Sequence, residues 1–126
     1  MPFLLFGQCK RILPLRHAKE LIMNRKDLSI ARSFKHLVQK RVNPINVRVF
    51  GSRARGDAAP DSDMDVFVLV DHATSDIERY VSECAWEAGF ERDVVIVPVV
   101  VGRDRIEGPL KESVFILNVS REGIEV

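Results

Sequence analysis

Apolar residues along this chain recur at helical spacing in some segments and in continuous runs in others, and the first patterned segment is helical. It begins at Asp27, which can cap a helix, and ends at Asn43-Pro44, because the residue before a proline disfavours helical geometry. Its apolar positions are three or four residues apart, and charged and polar side chains occupy the other faces. These apolar positions are Ile30, Phe34, Leu37 and Val38.

Two apolar runs of strand length follow this helix. The first, Val47 to Phe50, is short and contains Arg48. The second, Met64 to Val70, is nearly continuous, which is typical of a strand in the middle of a sheet. The segment between the two runs is polar and rich in turn residues, and we expect one helical turn there, at Arg53 to Arg55.

A second helix is predicted after these strands. Thr74, Ser75 or Asp76 can cap its start, and Gly89 is well placed to end it. Its apolar residues again fall at helical spacing and predict one face packed on the sheet. They are Ile77, Tyr80, Val81, Cys84 and Ala85.

The last patterned segments are a strand and a helix. Asp93 to Val101 is rich in valine, and Pro98 within it predicts an edge strand or a bulge. Ser113 to Glu122 predicts a final helix that ends at Gly123. The order helix, strand, strand, helix, strand, helix predicts an α+β fold, in which helices flank a small mixed α/β sheet.

The length of 126 residues is that of one domain. Residues 1–24 differ from the rest, with an apolar patch at Phe3 to Phe6, then basic residues and Pro14. We expect residues 1–24 to be a peripheral N-terminal extension and residues 25–126 to form the folded domain. We also hypothesise that Met23 is the functional start, because the patterned sequence begins just after it.

Charge and cysteine content exclude some classes of function. The 19 Lys and Arg residues nearly balance the 18 Asp and Glu residues, which gives no support for broad nucleic-acid or membrane binding. No run approaches the roughly 18 apolar residues that a membrane span needs. Cys9 and Cys84 lie in no metal or redox spacing, so two free thiols in a reducing compartment, the cytoplasm, are the simplest interpretation.

The segment between the first two strands begins with a candidate phosphate site. Gly51 allows the backbone to approach an anion closely, and Ser52 offers a hydroxyl and an N–H at the start of the helical turn. Arg53 and Arg55 could add positive charge. An ordinary turn is the alternative for a Gly-Ser pair taken alone.

The same segment ends with a candidate metal site. Asp63 and Asp65 are two residues apart at the start of a strand, so both side chains point to one side. Paired carboxylates favour a cation, and Mg²⁺ is usually held by one or two carboxylates together with substrate phosphates. A solvated strand entrance is the alternative, but the nearby Gly51-Ser52 pair favours a metal-bound nucleoside triphosphate.

Asp93 is the candidate for a third acid. If its strand lies beside Met64 to Val70, Asp93 can meet Asp63 and Asp65, and three carboxylates can hold two metal ions for an in-line phosphoryl displacement. Asp93 could also take the proton from an attacking hydroxyl group. The alternative is that Asp93 only marks a polar turn.

Other residues with functional side chains fit structural roles. His17, His36 and His72 lack ligand spacing and are expected at the surface. Trp86 and Tyr80 are expected to pack on their helix. The run 103–105, Arg-Asp-Arg, is most simply a solvated loop.

The segments Gly51 to Gly56 and Pro60 to Val66 together resemble the signature of the DNA polymerase beta-like nucleotidyltransferase superfamily, and within it the minimal nucleotidyltransferases (MNT). The resemblance covers residues 27–126. It implies the palm-like mixed sheet of that superfamily, two Mg²⁺ ions, and transfer of a nucleoside monophosphate from a triphosphate to an acceptor.

The resemblance also implies roles for individual residues. Gly51 and Ser52 take the phosphate-binding role, and Arg55 is a further candidate contact for the nucleotide. Asp63 and Asp65 take the metal roles. Asp93 falls about where the third acid of the family would be, and some members lack that acid.

Family members of this size are often paired with a small helical HEPN protein in toxin–antitoxin modules, in some cases adding AMP to a tyrosine of the toxin. The resemblance therefore implies an enzyme that transfers AMP from ATP to a partner protein. An inactive binding protein that neutralises its partner by contact is the alternative, and modification of a small molecule such as an aminoglycoside is a third possibility. A homo-oligomer is also compatible with a short core that leaves an apolar helix or sheet edge uncovered.

Overall fold

The computed structural model of this protein describes residues 23–111 and 113–126. These residues form five helices: α1 (Arg25–Gln39), α2 (Ser52–Arg55), α3 (Ser75–Phe90), α4 (Arg103–Glu107) and α5 (Val114–Glu122). They also form four strands: β1 (Asn46–Phe50), β2 (Met64–Val70), β3 (Ile96–Gly102) and β4 (Ile124–Glu125). No helix in the described ranges is both long enough and apolar enough to cross a membrane.

The four strands form one mixed sheet in the order β3-β2-β1-β4. Strand β1 runs antiparallel to β2 and to β4, whereas β2 and β3 are parallel. The predicted α+β class with a small mixed sheet is therefore confirmed. The nearly continuous apolar run of β2 is explained by its interior place, where both faces are buried.

Alternate residues of β2 point to two different helical layers. Val66, Val68 and Val70 face α1 and α3 on what we call the first face of the sheet. Phe67 and Leu69 face the other way, towards α4 and α5, on the second face. The side chains at the start of β2 that share the second face are the ones that build the candidate site.

The cap of helix α1 lies three residues before the predicted cap, Asp27. Asn24 is the cap, and its side-chain oxygen accepts a hydrogen bond from the backbone N–H of Lys26 at 2.7 Å. The prediction of Asp27 as the cap was wrong, because its buried carboxylate pairs with the Arg53 guanidinium. The helix ends at Gln39, before the predicted stop at Asn43-Pro44.

Helix α3 begins as predicted and ends later. Thr74 is the cap among the three candidates, since its hydroxyl accepts a hydrogen bond from the N–H of Ile77 at 3.2 Å. Gly89 does not end the helix, which continues to Phe90. Glycine is required at this position because the Val94 carbonyl lies where a Cβ atom would project.

Strand β3 begins at Ile96, three residues after the predicted start at Asp93. Asp93 has a left-handed φ of 56°, so the backbone turns there and joins the sheet only afterwards. The strand is an edge strand, as Pro98 predicted. The carbonyl of Val95 accepts a hydrogen bond from the N–H of Met64. Because backbone groups alternate in direction along a strand, the backbone nitrogen at position 98 points away from β2. Proline at this position therefore costs no hydrogen bond of the sheet.

The C-terminal part contains one predicted element and two that the pattern missed. Helix α5 has Ser113 at its N-cap and Gly123 at its C-cap, as expected. The run 103–105, predicted to be a loop, instead starts helix α4, which buries Ile106 on the second face. Strand β4 is only two residues long, too short for a periodic signal.

The predicted N-terminal extension lies mostly outside the described residues, as do the apolar patch at Phe3 to Phe6, His17 and Cys9. Met23 and Asn24 are its described part, and Met23 is buried in the core on the first face. The start at Met23 and the domain boundary therefore stay predictions.

Candidate active site

Gly51 places the end of β1 directly against Asp65 of β2. The register pairs Phe50, the last residue of β1, with Asp65. Gly51 follows Phe50 as the N-cap of α2 and therefore lies beside the Asp65 carboxylate. Gly51 has φ 77° and ψ −156°, a region that is essentially restricted to glycine. A Cβ atom there would lie 2.7 Å from the Asp65 Oδ2. Any other residue would both strain the backbone and displace the carboxylate.

Asp63 and Asp65 form a carboxylate pair on the second face at the start of β2. Asp63 is exposed and Asp65 is partly buried, so a ligand can reach both. Burial, and after it the charge of Asp63, raises the pKa of Asp65 above its ordinary value of 3.8. A cation bound between the two carboxylates would relieve both effects.

The donor set of this pair fits one divalent cation that prefers hard oxygen ligands. Mg²⁺ is commonly held by one or two carboxylates plus substrate phosphates, and it keeps several of its waters. Among the described residues, no group of three or more His, Cys, Asp or Glu side chains could hold a metal ion. A Mg²⁺ ion at Asp63 and Asp65 would therefore take its other ligands from phosphate and water.

Ser52 begins α2 next to this pair. No side chain caps this short helix, because its N-cap is Gly51. The N–H groups of its first turn can therefore donate to an anion, and the serine hydroxyl lies with them. The structure thus brings Gly51, Ser52, Asp63 and Asp65 together at one end of the sheet.

Comparison with known families shows which family the chain belongs to. Residues 30–120, which include β1, β2, α3 and β3, match the nucleotidyltransferase domain. This chain belongs to the nucleotidyltransferase domain family. The match supports nucleotidyl transfer as the general activity, and members of this family typically use a nucleoside triphosphate and a divalent metal. Among curated proteins, no sequence matches the chain.

Arg53 of this nucleotidyltransferase domain was predicted to add positive charge for a phosphate, but its guanidinium is buried and binds the loop that precedes Asp63. Its NH1 donates to the Asp27 Oδ1 at 2.7 Å, and both side chains are more than nine-tenths buried. Its Nε and NH2 donate to the Ser62 carbonyl, and NH2 also donates to the Pro60 carbonyl. Arg53 therefore fastens the loop that precedes Asp63 onto α1.

Arg55 is half-exposed at the end of α2. Its guanidinium lies 3.3 Å from the Asp57 carboxylate and 3.7 Å from the Glu122 carboxylate. These exposed ion pairs are weak and can exchange for a phosphate. Its predicted contact with the nucleotide stays a prediction.

Asp93 is not brought together with Asp63 and Asp65. It lies in the turn before β3 and lines a groove beside the Trp86 and Phe90 rings at the end of α3. The strand that follows it does lie beside β2, as expected, but among the described residues the three carboxylates do not form a group that could hold a metal ion.

Sequence reasoning missed the Asp27–Arg53 pair because 26 residues separate its members and no local spacing marks it. Trp86 was also wrongly expected to pack: it is 67% exposed and stacks on Phe90 at 4.5 Å. Tyr80 does pack, and its hydroxyl donates to the Leu37 carbonyl at 2.6 Å. His36 and His72 are exposed as expected.

Proposed function

We propose that this protein is a Mg²⁺-dependent nucleotidyltransferase that moves AMP from ATP onto a hydroxyl group of a partner protein. The observation that carries the proposal is the carboxylate pair Asp63 and Asp65, held against Gly51 in a chain of the nucleotidyltransferase domain family. A partly buried carboxylate whose charge is uncompensated is what a metal–triphosphate complex would neutralise.

Each residue has a distinct part in this reaction. Gly51 and Ser52 would bind the triphosphate through the first turn of α2, and Asp63 and Asp65 would hold the metal. A bound Mg²⁺ would supply positive charge for the negative charge that develops on the phosphate oxygens. The acceptor oxygen forms a bond to the α-phosphorus, the bond to pyrophosphate breaks, and the hydroxyl proton is lost to water.

The partner that we propose is a small helical HEPN-type protein, with this chain as the antitoxin-like half of the pair. The stacked Trp86 and Phe90 rings support a protein partner, because they expose apolar surface of the kind that interfaces bury. The cytoplasmic location expected from the sequence is part of this proposal.

A second candidate function is neutralisation of the same partner by contact alone. The absence of a third metal-ligating side chain beside Asp63 and Asp65 in the described ranges favours it. In that case the nucleotide site is vestigial.

The experiment is transfer of label from α-³²P ATP, with Mg²⁺, to proteins in a lysate of the source cell. Wild type is compared with Asp63→Asn and with Asp61→Asn, an exposed acid of the same loop outside the pair. We expect a labelled band with wild type and Asp61→Asn but not with Asp63→Asn. Equal labelling by Asp63→Asn contradicts the mechanism, and no labelling together with no ATP binding favours the contact-only function.

A further inference from the structure

The register between β2 and β3 defines which side chains lie next to the carboxylate pair. Asp65 is paired with Val97, and residues paired across a ladder share a face. One step earlier, the carbonyl of Val95 accepts a hydrogen bond from the Met64 N–H at 2.8 Å, which places Val95 beside Asp63. Val97 of β3, and Val95 just before β3, are therefore the neighbours of the two acids.

Both valines lie at the end of the second face that none of the described helices covers. Helices α4 and α5 cover the other end, where Phe67 and Leu69 are fully buried. Val95 is 63% exposed and Val97 is 37% exposed. Apolar side chains thus occupy positions 95 and 97, from which a third carboxylate could most directly reach a cation bound to Asp63 and Asp65.

Asp93 is displaced from those positions. Adjacent strands are about 4.8 Å apart, so a carboxylate at position 95 could share a cation with Asp63, whereas Asp93 is two residues further away, about 6–7 Å along an extended chain. The left-handed turn at Asp93 takes the backbone out of the strand direction. Asp93 lines the groove beside Trp86 and Phe90, and Val95 lines the same groove further along the chain.

We infer that this site holds one divalent cation instead of two, and that Val95 occupies the position where a ligand for a second cation would have to lie. The inference rests on the proposed function, since it concerns the same metal–triphosphate site. It implies that Asp93 is neither a metal ligand nor the base for the acceptor hydroxyl.

The test counts Mn²⁺ ions bound per chain by electron paramagnetic resonance, with saturating α,β-methylene ATP, which is not cleaved at the transferred phosphate. We expect about one protein-dependent Mn²⁺ for wild type and for Asp93→Asn, with affinities that agree within about twofold. Val95→Asp is expected to bind about one more ion than wild type, because a third carboxylate completes a two-ion site.

Val95→Asn is the matched control, since it has nearly the same size and polarity as the aspartate but no charge. Val95 is exposed, so neither substitution should disturb the core. Two ions on wild type, one of them lost in Asp93→Asn, would overturn the inference and leave the proposed function standing. Failure of Val95→Asp to gain an ion would also overturn it, and no ion on wild type would overturn both.

Discussion

Gly51 joins the two parts of the candidate site, the turn into α2 and the carboxylate of Asp65. Its positive φ turns the chain from β1 into α2, and its missing Cβ leaves room for the Asp65 carboxylate. A motif glycine is therefore explained here by two separate constraints, backbone conformation and close approach.

Gly51→Ala is expected to abolish Mg²⁺-dependent ATP binding, because the new Cβ would collide with the Asp65 Oδ2. The backbone strain alone should cost about 1–3 kcal/mol of unfolding free energy. Gly56→Ala is the control, since Gly56 also has a positive φ, of 81°, at the other end of α2. Calorimetric titration with ATP checks the difference, and unchanged binding in Gly51→Ala would contradict this role.

The charged carboxylate of Asp65 lowers the stability of the folded protein, although the proposed metal binding requires that charge. Its pKa is raised by burial and by the charge of Asp63, so the folded chain holds this proton more tightly than the unfolded chain. The resulting stabilisation is fully present below the unfolded value of 3.8 and is lost as pH rises through the folded pKa. At neutral pH the charged carboxylate therefore destabilises the protein without its ligand.

Asp65→Asn should consequently be more stable than wild type at pH 7 and lose ATP binding. The stability difference should shrink as the pH is lowered towards 3.8, where wild type also becomes neutral at this position. Urea unfolding at several pH values in the absence of ligand measures it. A variant that is less stable than wild type at pH 7 would show that Asp65 has a stabilising partner.

At the scale of elements, the loop that carries Asp63 is held in place from α1 and α2. Arg53 of α2 donates to Asp27 of α1 and to two carbonyls of the loop, at Pro60 and Ser62. A buried arginine with this many acceptors orders a polar loop that contains few apolar anchors. Arg53 of α2 therefore ties the loop that leads into β2 to helix α1.

Asp27→Ala should destabilise the protein by about 3–5 kcal/mol, because it leaves the buried Arg53 charge without its carboxylate. Arg55→Ala is the control on the same helix: its ion pairs are half-exposed, so the loss should stay below about 1 kcal/mol. Urea denaturation compares the two variants. Similar small losses would mean that the Asp27–Arg53 pair contributes little.

The outer edge of β3 is protected by Pro98, which supplies no N–H at the middle of the strand. Pro98→Thr restores an outward-facing donor beside the exposed Val95 and Val97. We expect this variant to self-associate more strongly than wild type. Sedimentation velocity over a concentration series checks this, and an unchanged distribution would show that other features protect the edge.

For the whole molecule, the sequence pattern predicted the interior of the sheet better than its edges. The bounds of β2 are those predicted, because a strand buried on both faces is one continuous apolar run. The start of β3 was placed too early, because the apolar run begins at Val94 and Val95, before the first residue of the strand, Ile96. The left-handed turn at Asp93 precedes this run. Strand β4 pairs with β1 directly after Gly123, where the Val119 carbonyl leaves no room for a Cβ atom, and this pairing is a tertiary contact without a periodic signal.

The candidate site divides in the same way. Gly51, Ser52, Asp63 and Asp65 could be found from sequence because they all lie between the end of β1 and the start of β2, two strands that are adjacent in the sheet. The position of Asp93 depends on where a strand from another part of the chain enters the sheet, which spacing does not determine. The support from Arg53 depends on a contact across 26 residues.

The central claim is that Asp63 and Asp65 hold a metal-bound triphosphate against Gly51. Calorimetric titration of ATP, with and without Mg²⁺, into wild type and Asp63→Asn tests it most directly, with Asp61→Asn as the control. We predict binding that requires Mg²⁺ and is weakened at least about tenfold in Asp63→Asn, since a contact to a charged group is worth about 1.5–3 kcal/mol. Equal affinity of wild type and Asp63→Asn for ATP would contradict the claim.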